Sequence, residues 1–533
     1  MRLIPPALIL GVWTALAAAQ AEPAKIREPI TIEVADFVEL PITGKPDGTG
    51  QVDGMLARVN SIREEPGGTA RLFITDMNGP VYILDRKSKA LTPYLDFNGR
   101  DDRPGLFDRL YYEAGFSSGV SQFQFDPDYR RNGKFYTVHM ESPSLPGSQR
   151  VDHSHLPGLT LPAFGYEPTA AIETPGPIQY ESILIEWTDT NPRNATFEGM
   201  AREVMRMQLN GRIHPMGEIV FHPAARPGDP EWRVMYIGTG DGGAGESRTA
   251  IRPHPQRLDT VVGKILRIIP DPRDHVETSR VSANGRYRIP DDNPFSAKPG
   301  ARTEIWAYGL RNPHRLSWAA DPNGRQHYLI AASVGLRTWE TVNIIRKGAN
   351  YGYSQREGNQ LLQPDNVTAA LPALDKIAVQ IGEEVTDEVV VPTYPVVQYG
   401  HVAGGGDAIG SGHVYTGKAL PALRGKYIFS DLSTGRVWYA DFKEMLAAED
   451  GDPQTLAQMH EVKIRWKGQT YDTFMPIALA AYQARGGKDP DLPGRATVSG
   501  TMRADARFAL DAAGELYVYS KTDGMIRQVV GAN

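Results

Sequence analysis

The sequence predicts an all-β chain folded as a six-bladed β-propeller with long inserted loops. Three observations carry that prediction. Glycine (54) and proline (41) are abundant among 533 residues, which favours turn-rich sheet over helix bundles. Apolar runs are short and rich in aromatic and β-branched residues. And one pattern recurs six times: a turn rich in Asp, Gly, Pro or Asn runs into an aromatic residue inside a short strand.

The copies are RLFITDMNG (71–79), FDPDYRRNGKFYTVH (125–139), EWRVMYIGTGDGG (231–243), ADPNGRQHYLIAAS (320–333), LRGKYIFSDLSTGRVWYADF (423–442) and LDAAGELYVYS (510–520). A small twisted sheet cannot bury both faces alone, and radial stacking buries them against neighbours. Tandem β-sandwiches are the competing arrangement. The copies lie roughly 60 to 100 residues apart, wider than the ~40–50 of an ordinary blade, so insertions are expected. Three segments fit: 142–182, rich in Pro, Gly, Ser and His; 358–392, with a possible helix and the acidic GEEVTDEVV; and 443–500, which opens on a short helical stretch.

The N-terminus has one early Arg, an apolar stretch and then Ala19-Gln20-Ala21 before Glu22. This pattern is that of a secretory signal peptide over 1–21, leaving 22–533 as a single propeller domain. No later run is apolar enough to span a bilayer, so the expected location is periplasmic or secreted. There is no cysteine, which excludes disulfides, thiolate metal sites, cysteine nucleophiles and covalently attached c-type haem. Net charge is −6 with both signs interspersed; without a Lys/Arg block, nucleic acid is not an expected partner.

Four segments could carry chemistry. In AYGLRNPHRLSW (307–318) two strand-like ends flank Arg311, Asn312 and Pro313, and the proline breaks strand pairing. In RIHPMGEIVF (212–221), His214 stands at a strand edge where a neutral imidazole can act as base. In MYIGTGDGGAGE (235–246), Asp241 lies between glycines and could orient a histidine, bind a cation or cap a turn; the glycines lack the G-K-[ST] of a phosphate loop. In 332–359, carbonyls beside Gly335 could ligate a hard cation, with Glu340, Tyr351 and Glu357 nearby in sequence.

These segments, with QRLDTVVGKILRI (256–268), GRYRIPDDNPF (285–295) and GSGHVYTGKALPALRGKYIFSDLSTGRVW (410–438), follow one another in an order that resembles the soluble glucose/sorbosone dehydrogenase family from about Phe73 to the C-terminus. That resemblance implies a propeller that uses pyrroloquinoline quinone and Ca2+ to oxidise an aldose or related alcohol or aldehyde, passing electrons to an external acceptor. It implies His214 as base, Asp241 as its orienting partner, and Arg311 and Asn312 at the quinone. Gly335 and Leu336 would offer carbonyls to Ca2+. The cofactor's three carboxylates need cations. The resemblance assigns these to 416–418, where Thr416 stands in place of a base and Lys418 follows, and to MRADARF, where Arg503 and Arg507 flank Asp505.

Other departures are Met216-Gly217 after the histidine, SSGVSQFQFDPDY (117–129) where the sugar site is expected, and Thr341 in place of a carboxylate of a second Ca2+ site, next to Glu340. They leave as alternatives a quinone-free propeller acting as a carbohydrate-binding or interaction module, and a Ca2+-dependent hydrolase.

Overall fold

The computed structural model describes residues 29–533 apart from 49–51, 53, 101–102, 114–116, 153, 155, 157, 160–165, 495–497, 499 and 501. The expected signal peptide therefore lies outside the described residues. Six four-stranded antiparallel units follow one another along the chain. Their first strands are Val59–Glu64, Val120–Phe125, Met216–Phe221, Asn312–Ala320, Ile409–Val414 and Ala506–Leu510. These pack side by side around the axis, and each of the six recurring motifs supplies the second strand of one blade.

Strand alternation explains the stacking. In Arg71–Asp76, Phe73 faces blade 2 and joins Phe123, Phe135 and Trp187. Leu72 and Ile74 face the other way, into blade 6 with Tyr517 and Tyr519. Six apolar clusters result, one in each gap between neighbouring blades. Each sheet is apolar on both faces because each face is an interface.

The ring closes through the N-terminal strand Ile30–Glu39. It pairs antiparallel with Met525–Ala532 as the outer strand of blade 6. Its other edge runs parallel to Met459–Trp466, the outer strand of blade 5. Two blades thereby become one continuous sheet, and a strand edge that would invite pairing with other chains is covered.

The insertions differ in detail from expectation. Residues between Glu141 and Tyr180 do interrupt blade 2. The segment 358–392 holds the hairpin Ile377–Ile381/Glu384–Val390, not a helix; alternating Ile, Val and Thr favour the pleated form. The expected helix at 443 is Phe442–Ala447, but 443–500 is only partly an insertion, since Met459–Trp466 is a blade strand and a second helix spans Met475–Ala484. No helix among the described residues is long and apolar enough to cross a membrane.

Five of the first strands carry a bulge near one end: between Val59 and Ser61, Val120 and Gln122, Met216 and Ile219, Asn312 and Arg315, and Ile409 and Gly412. Pro313 accounts for the fourth, as its sequence implied. A bulge re-aims side chains, and these five sit at the channel end that holds the cavity described below.

The clasp makes a simple prediction. Ile32 pairs with Ala532 on one side and Ile464 on the other and is buried. Ile32→Ala should cost about 2–5 kcal/mol, read as a lower midpoint in urea denaturation. An unchanged midpoint would show that closure does not depend on this strand.

Candidate functional site

A cavity of about 300 Å³ opens at the bulged end of the channel. His214, Arg311, Asn312, Gly335, Leu336, Arg503 and Arg507, contributed by blades 3 to 6, all line it. Most of the expected site residues therefore converge, although they span almost three hundred positions.

His214 immediately precedes the first strand of blade 3 and has a left-handed backbone (φ 55°). That conformation is uncommon for a side chain with a Cβ and points to a site held by its surroundings. Gly240 makes it possible, because a Cβ there would lie 2.5 Å from that of His214. The imidazole Nδ1 lies 2.6 Å from Asp241 Oδ1. Asp241 is fully buried and also accepts the backbone N–H groups of Gly243 (2.9 Å) and Gly245 (3.0 Å). Burial would raise its carboxyl, but His214, Arg311 and the Gly243 N–H outweigh burial and hold it below its ordinary value. An ionised Asp241 fixes the proton on Nδ1, leaving Nε2 as the acceptor.

Arg311 sits on the connector between blades 3 and 4. Its carbonyl accepts the Asp241 N–H at 2.8 Å, which ties it to the His–Asp pair. Its guanidinium donates to Glu246 Oε2 at 2.9 Å and to the Gly335 carbonyl, while Nε is buried without a partner. The Asn312 side-chain oxygen, in the same cavity, is also buried and unpartnered.

Calcium does not fit this arrangement. The Gly335 carbonyl that the resemblance assigns to the ion already accepts from Arg311, and a guanidinium repels a divalent cation. The nearby carboxylates face elsewhere. Glu340 accepts the N–H groups of Gly335 (3.0 Å) and Ile409 (2.8 Å) and pairs with His401. Glu357 Oε1 accepts the N–H groups of residues 336 to 339, and Thr341 faces the Ser333 carbonyl. Among the described residues no three His, Asp or Glu side chains gather as a metal site.

The cofactor-carboxylate expectation needs correcting in part. Thr416 and Lys418 are exposed and outside the cavity. Asp407 and Ala408 line it, and the strand Ile409–Val414 then carries the chain roughly 20 Å towards the opposite face. Arg503 and Arg507 do line the cavity. Asp505 stands between them, also left-handed (φ 47°), accepting from Arg503 Nε at 3.1 Å and Arg507 Nε at 2.8 Å. The acid is thus paired with both arginines.

The sequence reading missed Arg315, Lys521 and Gln122, which also line the cavity. Arg315 lies in the quoted stretch but was masked by the strand pattern around it. Lys521 ends the last motif, at a turn where a lysine ordinarily meets solvent. Gln122 falls in the segment that departs from the family pattern, and its side-chain oxygen is buried and unpartnered. Four guanidinium groups and the Lys521 amine therefore face the cavity, with Asp407 the single lining acid among the described residues.

The chain is similar to known proteins in sequence and in fold. HIPL1 protein from Arabidopsis thaliana is 27% identical over 391 residues, 70% of this chain and 51% of that protein. Aldose sugar dehydrogenase YliI from Escherichia coli is 36% identical over 102 residues, 19% of this chain and 22% of that one. Human Hedgehog-interacting protein is 24% identical over half of this chain and 31% of its own. The chain spans about half the length of the HIPL relatives it matches. Among solved structures, a glucose dehydrogenase superposes with TM-score 0.50 at 17% identity over 93% of this chain and 99% of its own. The soluble aldose sugar dehydrogenase of Escherichia coli gives 0.50 at 16% over 90% and 97%; at these identities the likeness is one of fold. The sequence model of Glucose / Sorbosone dehydrogenase matches residues 65–475, well over half the chain, and the protein belongs to that family.

Proposed function

We propose that the chain is an exported quinoprotein oxidoreductase that oxidises an aldose, or a related alcohol or aldehyde, and passes the electrons to an external acceptor. The observation that carries this reading is the convergence of the His214–Asp241 pair and Arg311 on one cavity lined by five basic side chains. A basic imidazole and an anion-binding wall in one small space suit abstraction of a hydroxyl proton beside a polycarboxylate.

Pyrroloquinoline quinone, when bound, would supply the two-electron hydride acceptor, with Arg311, Asn312, Arg503 and Arg507 as the residues to hold it. This chain's own part is proton transfer and placement. Nε2 of His214 takes the substrate's hydroxyl proton as the hydride leaves the same carbon. Asp241 keeps the ring oriented and stabilises the imidazolium that forms. Arg311 supplies positive charge where negative charge develops on an oxygen. Its present partners, Glu246 and the Gly335 carbonyl, hold it at the cavity wall. No step is assigned to Ca2+.

A quinone-free binding module is the second reading, favoured by the guanidinium seated on the Gly335 carbonyl. Titration with pyrroloquinoline quinone, followed by absorbance and by dye reduction with a panel of aldoses, separates the two. Saturable binding with sugar-dependent dye reduction supports the oxidoreductase; no binding at micromolar quinone overturns it.

Two substitutions test the roles. His214→Ala should lower kcat about 10²–10⁴-fold while the thermal midpoint stays close to wild type; unchanged turnover would remove His214 as base. Arg311→Lys keeps the charge but loses the planar fork. A fall in kcat of about 10²–10³ is expected, and equal activity would mean that charge alone suffices.

A further inference from the structure

The cavity's cations are unevenly spread. Arg311 stands beside the His–Asp pair, whereas Arg503, Arg507 and Lys521 all come from blade 6. Lys521 directly follows the strand Leu516–Ser520 and is 1% exposed. Arg507, 2% exposed, spends Nε on Asp505, while its Nη1 is buried with no hydrogen-bond partner. Arg315, from blade 4, donates to Glu218 (3.1 Å) and to Asn60, but its Nε is likewise buried and unpartnered. Arg507, Asp505, Arg58 and Arg315 are the charged groups that act most strongly on Lys521. Positive charge gathered at such density, with buried donors unused, is arranged for an anion.

We propose that Lys521, together with Arg507 and Arg503, is the carboxylate receptor of this cavity, supplying from blade 6 the charge that the family pattern led us to expect at Thr416 and Lys418. Its ligand class is a compact molecule with two or more carboxylates; on the reading above, which this proposal rests on, that molecule is pyrroloquinoline quinone. Position 416, exposed and outside the cavity, lies at the far end of its strand and takes no part in the receptor.

Proton linkage supplies a signature independent of turnover. Burial, reinforced by Arg507, pushes the Lys521 amine well below its ordinary range. A carboxylate beside it favours the ammonium, so binding takes up a proton between the free and the bound pKa, and affinity falls as pH rises through that window.

The test is calorimetric titration of the unloaded full-length protein with pyrroloquinoline quinone, and separately with citrate, a tricarboxylate without the quinone ring. Lys521→Met should weaken quinone binding about tenfold or more, Lys521→Arg should retain most of it, and Lys418→Met should bind as wild type. Thermal melts report whether each variant folds. Comparing buffers of different ionisation heat should show proton uptake by the wild type at pH values between the free and the bound pKa of Lys521, a measurement that needs no variant. Binding by Lys521→Met within about twofold of wild type overturns the receptor and leaves the cofactor reading standing. A wild type that ignores the quinone overturns the cofactor reading; the receptor then survives only if citrate binds and loses affinity in Lys521→Met, and it falls if citrate binds neither protein.

Discussion

Positive charge buried in the channel is the constraint around which the inner surface is organised. Arg58, Arg315, Arg507 and Lys521 are all nearly inaccessible to solvent. Loss of hydration on burial brings both Arg58 and Arg507 down to about 10, and like charges in a low-dielectric space also repel. The acids are placed to answer this. Asp505 bridges Arg503 and Arg507, and Glu218 bridges Arg63 and Arg315. Asp76, which accepts the Arg58 N–H, contributes a third carboxylate. Removing any one partner of such a pair leaves a buried charge uncompensated, so these residues form a coupled set.

The blades position that set. First strands run down the channel wall, and their bulges fall at the cavity end, so His214, Arg311 and Asp407 occupy strand approaches whose side chains can point inward. The apolar gaps between blades are rigid, close-packed and independent of the channel. That separation lets the chemistry vary while the frame stays the same.

Much of this was legible in the sequence, and the limits have physical causes. Six copies of one turn-and-strand motif gave six blades, because a motif that closes a hairpin is local. The clasp strand Ile30–Glu39 was not foreseen: its pairing joins the two ends of the chain, and nothing local encodes that contact. The resemblance, more than any single turn, suggested that His214, Asp241 and Arg311 belong together, and the structure brings them to one place. Thr416 and Lys418 were misplaced because a motif fixes sequence order and says little about which end of a strand faces the axis. Lys521 escaped notice for a related reason. A lysine after a strand is ordinarily a surface residue, and only the ring geometry turns this one inward.

The chemical character of the channel bears on what the protein is for. A propeller serving only as a scaffold could fill its axis with apolar side chains, since replacing buried ion pairs by well-packed hydrophobic residues is often neutral or stabilising. Here a cavity is kept open and lined with guanidinium groups, one lysine and a His–Asp pair. Buried donors on Arg311, Arg315 and Arg507 stay unused, and so do the acceptors on Asn312 and Gln122. Each unused polar atom carries a desolvation cost. Their concentration in one place, on a wall rich in guanidinium groups, favours a polar ligand. An imidazole with its outer nitrogen fixed by Asp241 adds a proton acceptor beside the anion site. The combination argues for chemistry on a polar substrate next to a bound polycarboxylate, and against a channel that is a by-product of ring closure.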